Sequence, residues 1–168
     1  MKIDHLEERV IDYKESIKTV VDKKTFWEET SKLLIIETLK AITKKYEIGW
    51  KVQELNWINN NEAVNITFNS FPKELIDCTN QIPTYQFVTG GALVFSQSYS
   101  GDVYVFILFP FIDNLPLETN TLELGMYTPQ EITNKLIVEK VDEFLKEMIK
   151  WEVPSHRNKM GFQNKESL

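Results

Sequence analysis

The sequence is short of the residue types that carry most recognisable chemistry. Its 168 residues include one cysteine, Cys78, two histidines, His5 and His156, and two arginines, Arg9 and Arg157. A single cysteine excludes an internal disulfide, and no Cys/His pair has zinc spacing, so no structural metal is expected. Cys78 lacks a nucleophile signature and reads as a small buried residue. The histidines sit near opposite ends of the chain, where a histidine triad or metal site would first have to order a terminus. Thr89-Gly90-Gly91 precedes a strand pattern rather than a helix with Lys or Ser/Thr, so it reads as a turn or bulge and not as a phosphate loop. No cofactor or metal is expected.

Long apolar runs are also missing. The longest, residues 103–112, has ten residues with only Pro110 not strongly apolar, against about 20 for a membrane-spanning helix. The opening MKIDHLEERV is charged from its second residue and has no apolar core of a signal peptide. A cytoplasmic location away from membranes is the expectation, and the sparing use of cysteine agrees with it.

Positive charge is scarce in one place. The net charge is −6, yet residues 1–48 hold 10 basic and 10 acidic side chains and residues 129–168 hold 7 of each. Residues 49–128 hold 2 basic and 8 acidic side chains, so the whole excess lies in the middle. Such a region repels phosphate backbones, and arginine, the preferred bidentate reader of bases and phosphates, is nearly absent. Nucleic-acid binding is therefore not expected.

What is present is periodicity. Ile3, Leu6, Val10, Tyr13, Ile17 and Val20 step by 3, 4, 3, 4, 3, the spacing of a heptad seam on a helix. Two and a half heptads are too short to stand alone as a coiled coil, so the seam must pack on its own domain or on a second copy. Leu6, Val10, Tyr13 and Ile17 are the candidate dimer residues. Thr25-Phe26-Trp27-Glu28 has capping-box spacing and predicts a second helix over residues 26–46. Gly49 offers a stop.

From Trp50 the period changes to two. Residues 50–57 and 64–69 predict a first hairpin across an asparagine turn, with a bulge or a change of buried face near Glu54 where Leu55 and Trp57 switch parity. Pro72 suits the start of a helical turn over residues 73–79, and residues 84–88 are ambiguous. Residues 92–99 and 103–109 predict a second hairpin about Ser100-Gly101. The 103–109 run is β-branched and aromatic on both parities, which predicts a central strand covered on both faces. Leu122, Leu124 and Met126 alternate in a possible fifth strand, after a loop over 113–118. Thr128-Pro129-Gln130-Glu131 is a second capping box, before a terminal helix reaching about Trp151.

The expected fold is α+β: an antiparallel sheet of four to five strands, covered by N-terminal helices and a long C-terminal helix. Residues 1–152 form one domain and 153–168 a polar mobile tail. Carboxylates offer the remaining route to catalysis, through Glu54, Glu62, Asp102, Asp113, Glu118 or Glu123, but no spacing makes them converge. Aromatic side chains beside acidic ones suit a protein partner. Trp50, Trp57, Tyr99, Asp102, Tyr104, Asp113 and Glu118 are the candidate binding residues of a non-enzymatic, adaptor-like protein whose partner is another protein or itself. The alternative is a small-ligand or enzymatic domain with aromatic side chains near Gly90-Gly91 and Glu54 or Asp102 lining a pocket.

Overall fold

The computed structural model describes residues 3–56, 61–76, 90–110 and 120–153. Trp57, Cys78, Asp113 and Glu118 lie outside the described residues, as do the ambiguous stretch 84–88 and the tail from residue 154. A 3-10 turn, Asp4–Leu6, leads into helix α1, Glu7–Phe26. A π turn, Trp27–Ser31, joins α1 without a break to α2, Lys32–Lys45. Strands β1 (Trp50–Asn56), β2 (Glu62–Phe68), β3 (Ala92–Gln97), β4 (Val103–Leu108) and β5 (Thr121–Tyr127) follow, and helix α3, Asn134–Glu152, closes the fold. The sheet is an antiparallel meander in the order β1-β2-β3-β4-β5.

The α+β architecture is the expected one, with all five strands present. The helical cover is made by α2 and α3. Ile35, Ile36 and Leu39 of α2 and Ile137, Val141, Phe144 and Met148 of α3 pack on Val64, Ile66, Leu93, Phe95, Val103, Val105 and Ile107. The α3 residues step by 4, 3, 4, which lays one apolar stripe along the helix. In β4, Val103, Val105 and Ile107 are fully buried under the helices, while Tyr104, Phe106 and Leu108 are half-buried on the other face. Burying the first three stabilises by roughly 5–9 kcal/mol before entropy. The second face is lined by Ala63, Ala92 and Val94 with Leu55, Phe106 and Leu108 around them.

Three local expectations are corrected, and the choice between a bulge and a change of buried face in β1 is decided. Thr25 lies inside α1 and caps nothing, because the chain continues through the π turn. Trp27, Ser31, Ile35 and Leu39, all buried, recur at four-residue spacing. At 3.6 residues per turn such a row drifts around the helix, and the wider π turn takes up part of that drift. No bulge interrupts β1, which pairs with β2 continuously from Trp50–Phe68 to Asn56–Glu62. Val52 faces the helices and Leu55 the second face, so the parity switch reflects two covered faces. The register shift lies instead between Val105 and Phe106, opposite β5. The β3–β4 turn spans residues 98–102, closed by Ser98 N–H donating to Asp102 O (2.8 Å). Finally, Glu131 does reach back to Thr128 N–H (2.7 Å), but it caps the 3-10 turn Pro129–Glu131; α3 starts later, with Leu136 N–H donating to Thr133 Oγ1.

Gly49 sets the entry to β1. Its φ is +93°, and a Cβ there would lie 2.3 Å from Ser70 O. Its own carbonyl accepts from Asn69 and Ser70 N–H. Gly49→Ala is expected to lower stability by about 2–3 kcal/mol, read as a lower urea midpoint at unchanged m-value.

Candidate functional site

Helix α1 holds apolar side chains that its own domain does not cover. No residue of α1 is buried. Ile3 is 60% exposed, Leu6 and Val10 48%, Tyr13 66% and Ile17 46%. Ile11 and Val21 are exposed as well. At 1.5 Å per residue the 20 residues of α1 span about 30 Å. Contact with the body is made near its C-terminal end. Lys23 Nζ donates to Asp102 Oδ1 at 2.8 Å. Gly101 passes so close that a Cβ would sit 2.6 Å from Lys23 Cβ and 3.4 Å from Val20 O.

The root of the helix is clamped at the π turn. The indole of Trp27 is 1% exposed, and its Nε1 donates to Glu62 Oε2 at 3.0 Å. Lys32 Nζ donates to that same oxygen and to Glu28 Oε1, both at 2.9 Å. Ser31 Oγ donates to Pro129 O at 2.7 Å inside the core. Burial alone pushes the Glu62 carboxyl up, but the hydrogen bonds from Lys32 and Trp27 and the Lys32 charge together outweigh it and hold the carboxyl below its ordinary value. Burial likewise lowers Lys32, and its bonds to Glu28 and Glu62 overcome that and leave it raised.

The residues singled out from the sequence are distributed over both ends of the sheet. Trp50 is buried, stacks on Phe68 at 5.6 Å between centroids, and donates its Nε1 proton to Tyr46 O. The pairing register puts Trp50 at the end of the sheet away from the 98–102 turn. Tyr99 is 81% exposed in that turn. Asp102 lies in the same turn and is tied to Lys23. Tyr104 is half-buried on the second face with its ring 5.0 Å from Phe106, and burial, then the charge of Glu123, raise its hydroxyl above the ordinary value. The structure thus groups Tyr99 and Asp102 at the foot of α1, separate from Trp50. Leu6, Val10, Tyr13 and Ile17 lie along the free part of that helix.

Trp27, Lys32 and Glu62 were not picked out together by sequence reasoning. The four-residue spacing from Trp27 to Leu39 is the signal that would have joined α1 to α2, but the apparent cap at Thr25 masked it. Among the described residues, no group of three or more His, Cys, Asp or Glu side chains is placed to hold a metal ion. No described helix is long and apolar enough to cross a membrane.

Two surface concavities lie away from α1 among the described residues. An apolar one of about 420 Å³ lies beside Gly90, between Phe68, Phe71 and Pro72 on one side and Leu145, Met148 and Glu152 of α3 on the other. Its carboxylate is Glu152, raised above its ordinary value by loss of water around it, rather than Glu54 or Asp102. A more open one, about 570 Å³, gathers Lys40, Lys44, Lys51 and Lys73 around Trp50. No known protein family, curated protein or solved structure matches this chain.

The clamp predicts a pH dependence. Glu62 is held lower in the folded protein than in the unfolded chain, so its contribution is complete above its ordinary value of 4.5 and disappears as pH falls through the folded value. Lys32 is held higher, so its contribution persists below 10.5 and is lost as pH rises through its folded value. Glu62→Gln is expected to cost about 1 kcal/mol at neutral pH. The difference from wild type should vanish on acidification, in urea unfolding measured across pH.

Proposed function

We propose that the protein is a non-enzymatic interaction protein, adaptor-like in action, and that α1 with the Tyr99 turn at its foot is the surface it offers to a protein partner. The observation that carries this reading is the exposed heptad row on a helix in which no side chain is buried. An isolated helix of this length is marginal in water, and most helical stability in proteins comes from packing of an apolar face. A row of branched apolar side chains in water is also an invitation to association. The acidic excess supports the choice of a protein over a nucleic acid as partner. Trp50, being part of the core, is not included in the proposed surface.

A second reading, small-ligand binding, is favoured by the apolar cavity beside Gly90, whose size falls within the range of ligand pockets. Glu152, its carboxylate among the described residues, suits an apolar amine. Thermal-shift titration with apolar amines should then raise the melting temperature of the wild type and not of Glu152→Gln. A wild type that none of them stabilises ends this second reading.

The first reading is tested with Val10→Lys/Ile17→Lys in the full chain. Both side chains are exposed, so the unfolding free energy should stay within about 0.5 kcal/mol of wild type. Partner capture from the native host, and any self-association, should be lost. If the variant retains every association of the wild type, α1 is not the interaction surface.

A further inference from the structure

Resting on the reading of α1 as an interaction helix, we infer that its occupant is a second copy of this chain, paired antiparallel in one register. Placing Ile3, Val10 and Ile17 at heptad position a puts Leu6, Tyr13 and Val20 at d. In an antiparallel pair each a residue faces a d residue. One alignment engages the whole seam: Ile3 opposite Val20 of the second copy, Leu6 opposite Ile17, Val10 opposite Tyr13, and the same three layers again by two-fold symmetry. The pairing runs over residues 3–20, of which 7–20, about 21 Å, belong to α1 and Asp4–Leu6 to the 3-10 turn before it.

Charge selects the same alignment. Antiparallel helices bring e positions against e positions, here Glu7 and Lys14. In this register Glu7 of each copy faces Lys14 of the other, which gives two symmetric ion pairs. At the g positions Arg9 faces the neutral Ser16. Lys2 approaches Lys23, which Asp102 already neutralises at 2.8 Å. Sliding one helix by a heptad in either direction drops two of the apolar layers. It also sets Glu7 against Glu7, or Lys14 against Lys14. Parallel pairing keeps the layers but sets Arg9 against Lys14 in both halves, offset by Lys2 against Glu7, and stacks Tyr13 on Tyr13. Side chains and charges therefore agree on one arrangement, in which the two domains lie at opposite ends of the helix pair and the partner's helix starts beside the Tyr99 turn.

The test is sedimentation equilibrium of the full-length chain at low salt. The variants are Glu7→Lys, Lys14→Glu and Glu7→Lys/Lys14→Glu, each checked for wild-type circular dichroism. Glu7 and Lys14 are both exposed, so the fold is not at stake. Each single reversal replaces two attractions by two repulsions and is expected to weaken the dimer roughly 10- to 30-fold. The double reversal is expected to restore it to within about threefold. Tightening by Lys14→Glu, which would bring that residue against Arg9, would establish the parallel pair and overturn the register. So would single variants that leave dissociation unchanged, or a double variant that is not rescued. A wild type that stays monomeric across the accessible concentration range overturns self-pairing alone. The interaction reading would then be decided by whether Val10→Lys/Ile17→Lys still captures a partner from the host.

Discussion

Trp27 sits where one continuous helix stops being free and becomes part of a core, and the geometry of the molecule follows from how that point is held. The indole is buried among apolar side chains, yet it carries a donor that must be satisfied. Glu62, at the first position of β2, supplies the acceptor. Lys32, one turn beyond, neutralises the carboxylate from the other side. A buried tryptophan alone fixes depth. The bonds to Glu62 add direction, since they tie the helix to a strand end and prevent rotation about its axis. Ser31 and Pro129 provide a second tie on the same turn, and Lys23 with Asp102 a third, farther out. A helix held at three points along its root keeps its heading after it leaves the body.

The distribution of charge along the chain has a structural use in this arrangement. Two of the eight acidic residues in the middle region, Glu62 and Asp102, come from ends of strands on one side of the sheet. Each meets a lysine from the balanced N-terminal stretch. The local excess is therefore partly consumed in docking the helix onto the sheet. Lys51 and Lys73, the two basic residues of the acidic middle region, share a groove with Lys40, Lys44 and Glu47 at the opposite end of the sheet. Lys73 there pairs with Glu47 at 3.3 Å, so charges from separate stretches of sequence meet at both ends.

The sheet was legible in the sequence because its signals are local. Period-two alternation in residues 64–69, the unbroken β-branched run from Val103 and the alternating leucines of β5 each declare a strand within a few residues. The seam of α1 was legible for the same reason. Its fate was not. Whether Val10 and Ile17 face a core or water depends on where the helix is rooted, and that depends on Trp27 meeting Glu62 across 35 positions of sequence. Thr25 and Glu28 imitate a helix start so well that local reasoning divides one helix into two. The π turn that joins them has no local signature, because it answers to the spacing of buried residues beyond it. Glu152 and the cavity beside Gly90 were hidden in the same way: their members come from β2, the segment after it, and the end of α3.

A rooted helix and a free one differ in what limits their stability. Nucleation is unfavourable and propagation nearly neutral, so α2 and the clamp supply α1 with a nucleus it need not form for itself. The helix is then firmest near Val20 and loosest near Ile3, far from its support. Parallel pairing would bring two loose ends together and leave them to stabilise one another. Antiparallel pairing sets the loose end of each helix against the firm root of the other, so the turn that most lacks support packs on the turn that has most. The e-position charges, which pair Glu7 with Lys14 twice, favour that order independently. An exposed apolar seam is a liability in a monomer. Charges that penalise the slipped antiparallel alignments and reward one register restrict what such a seam can join.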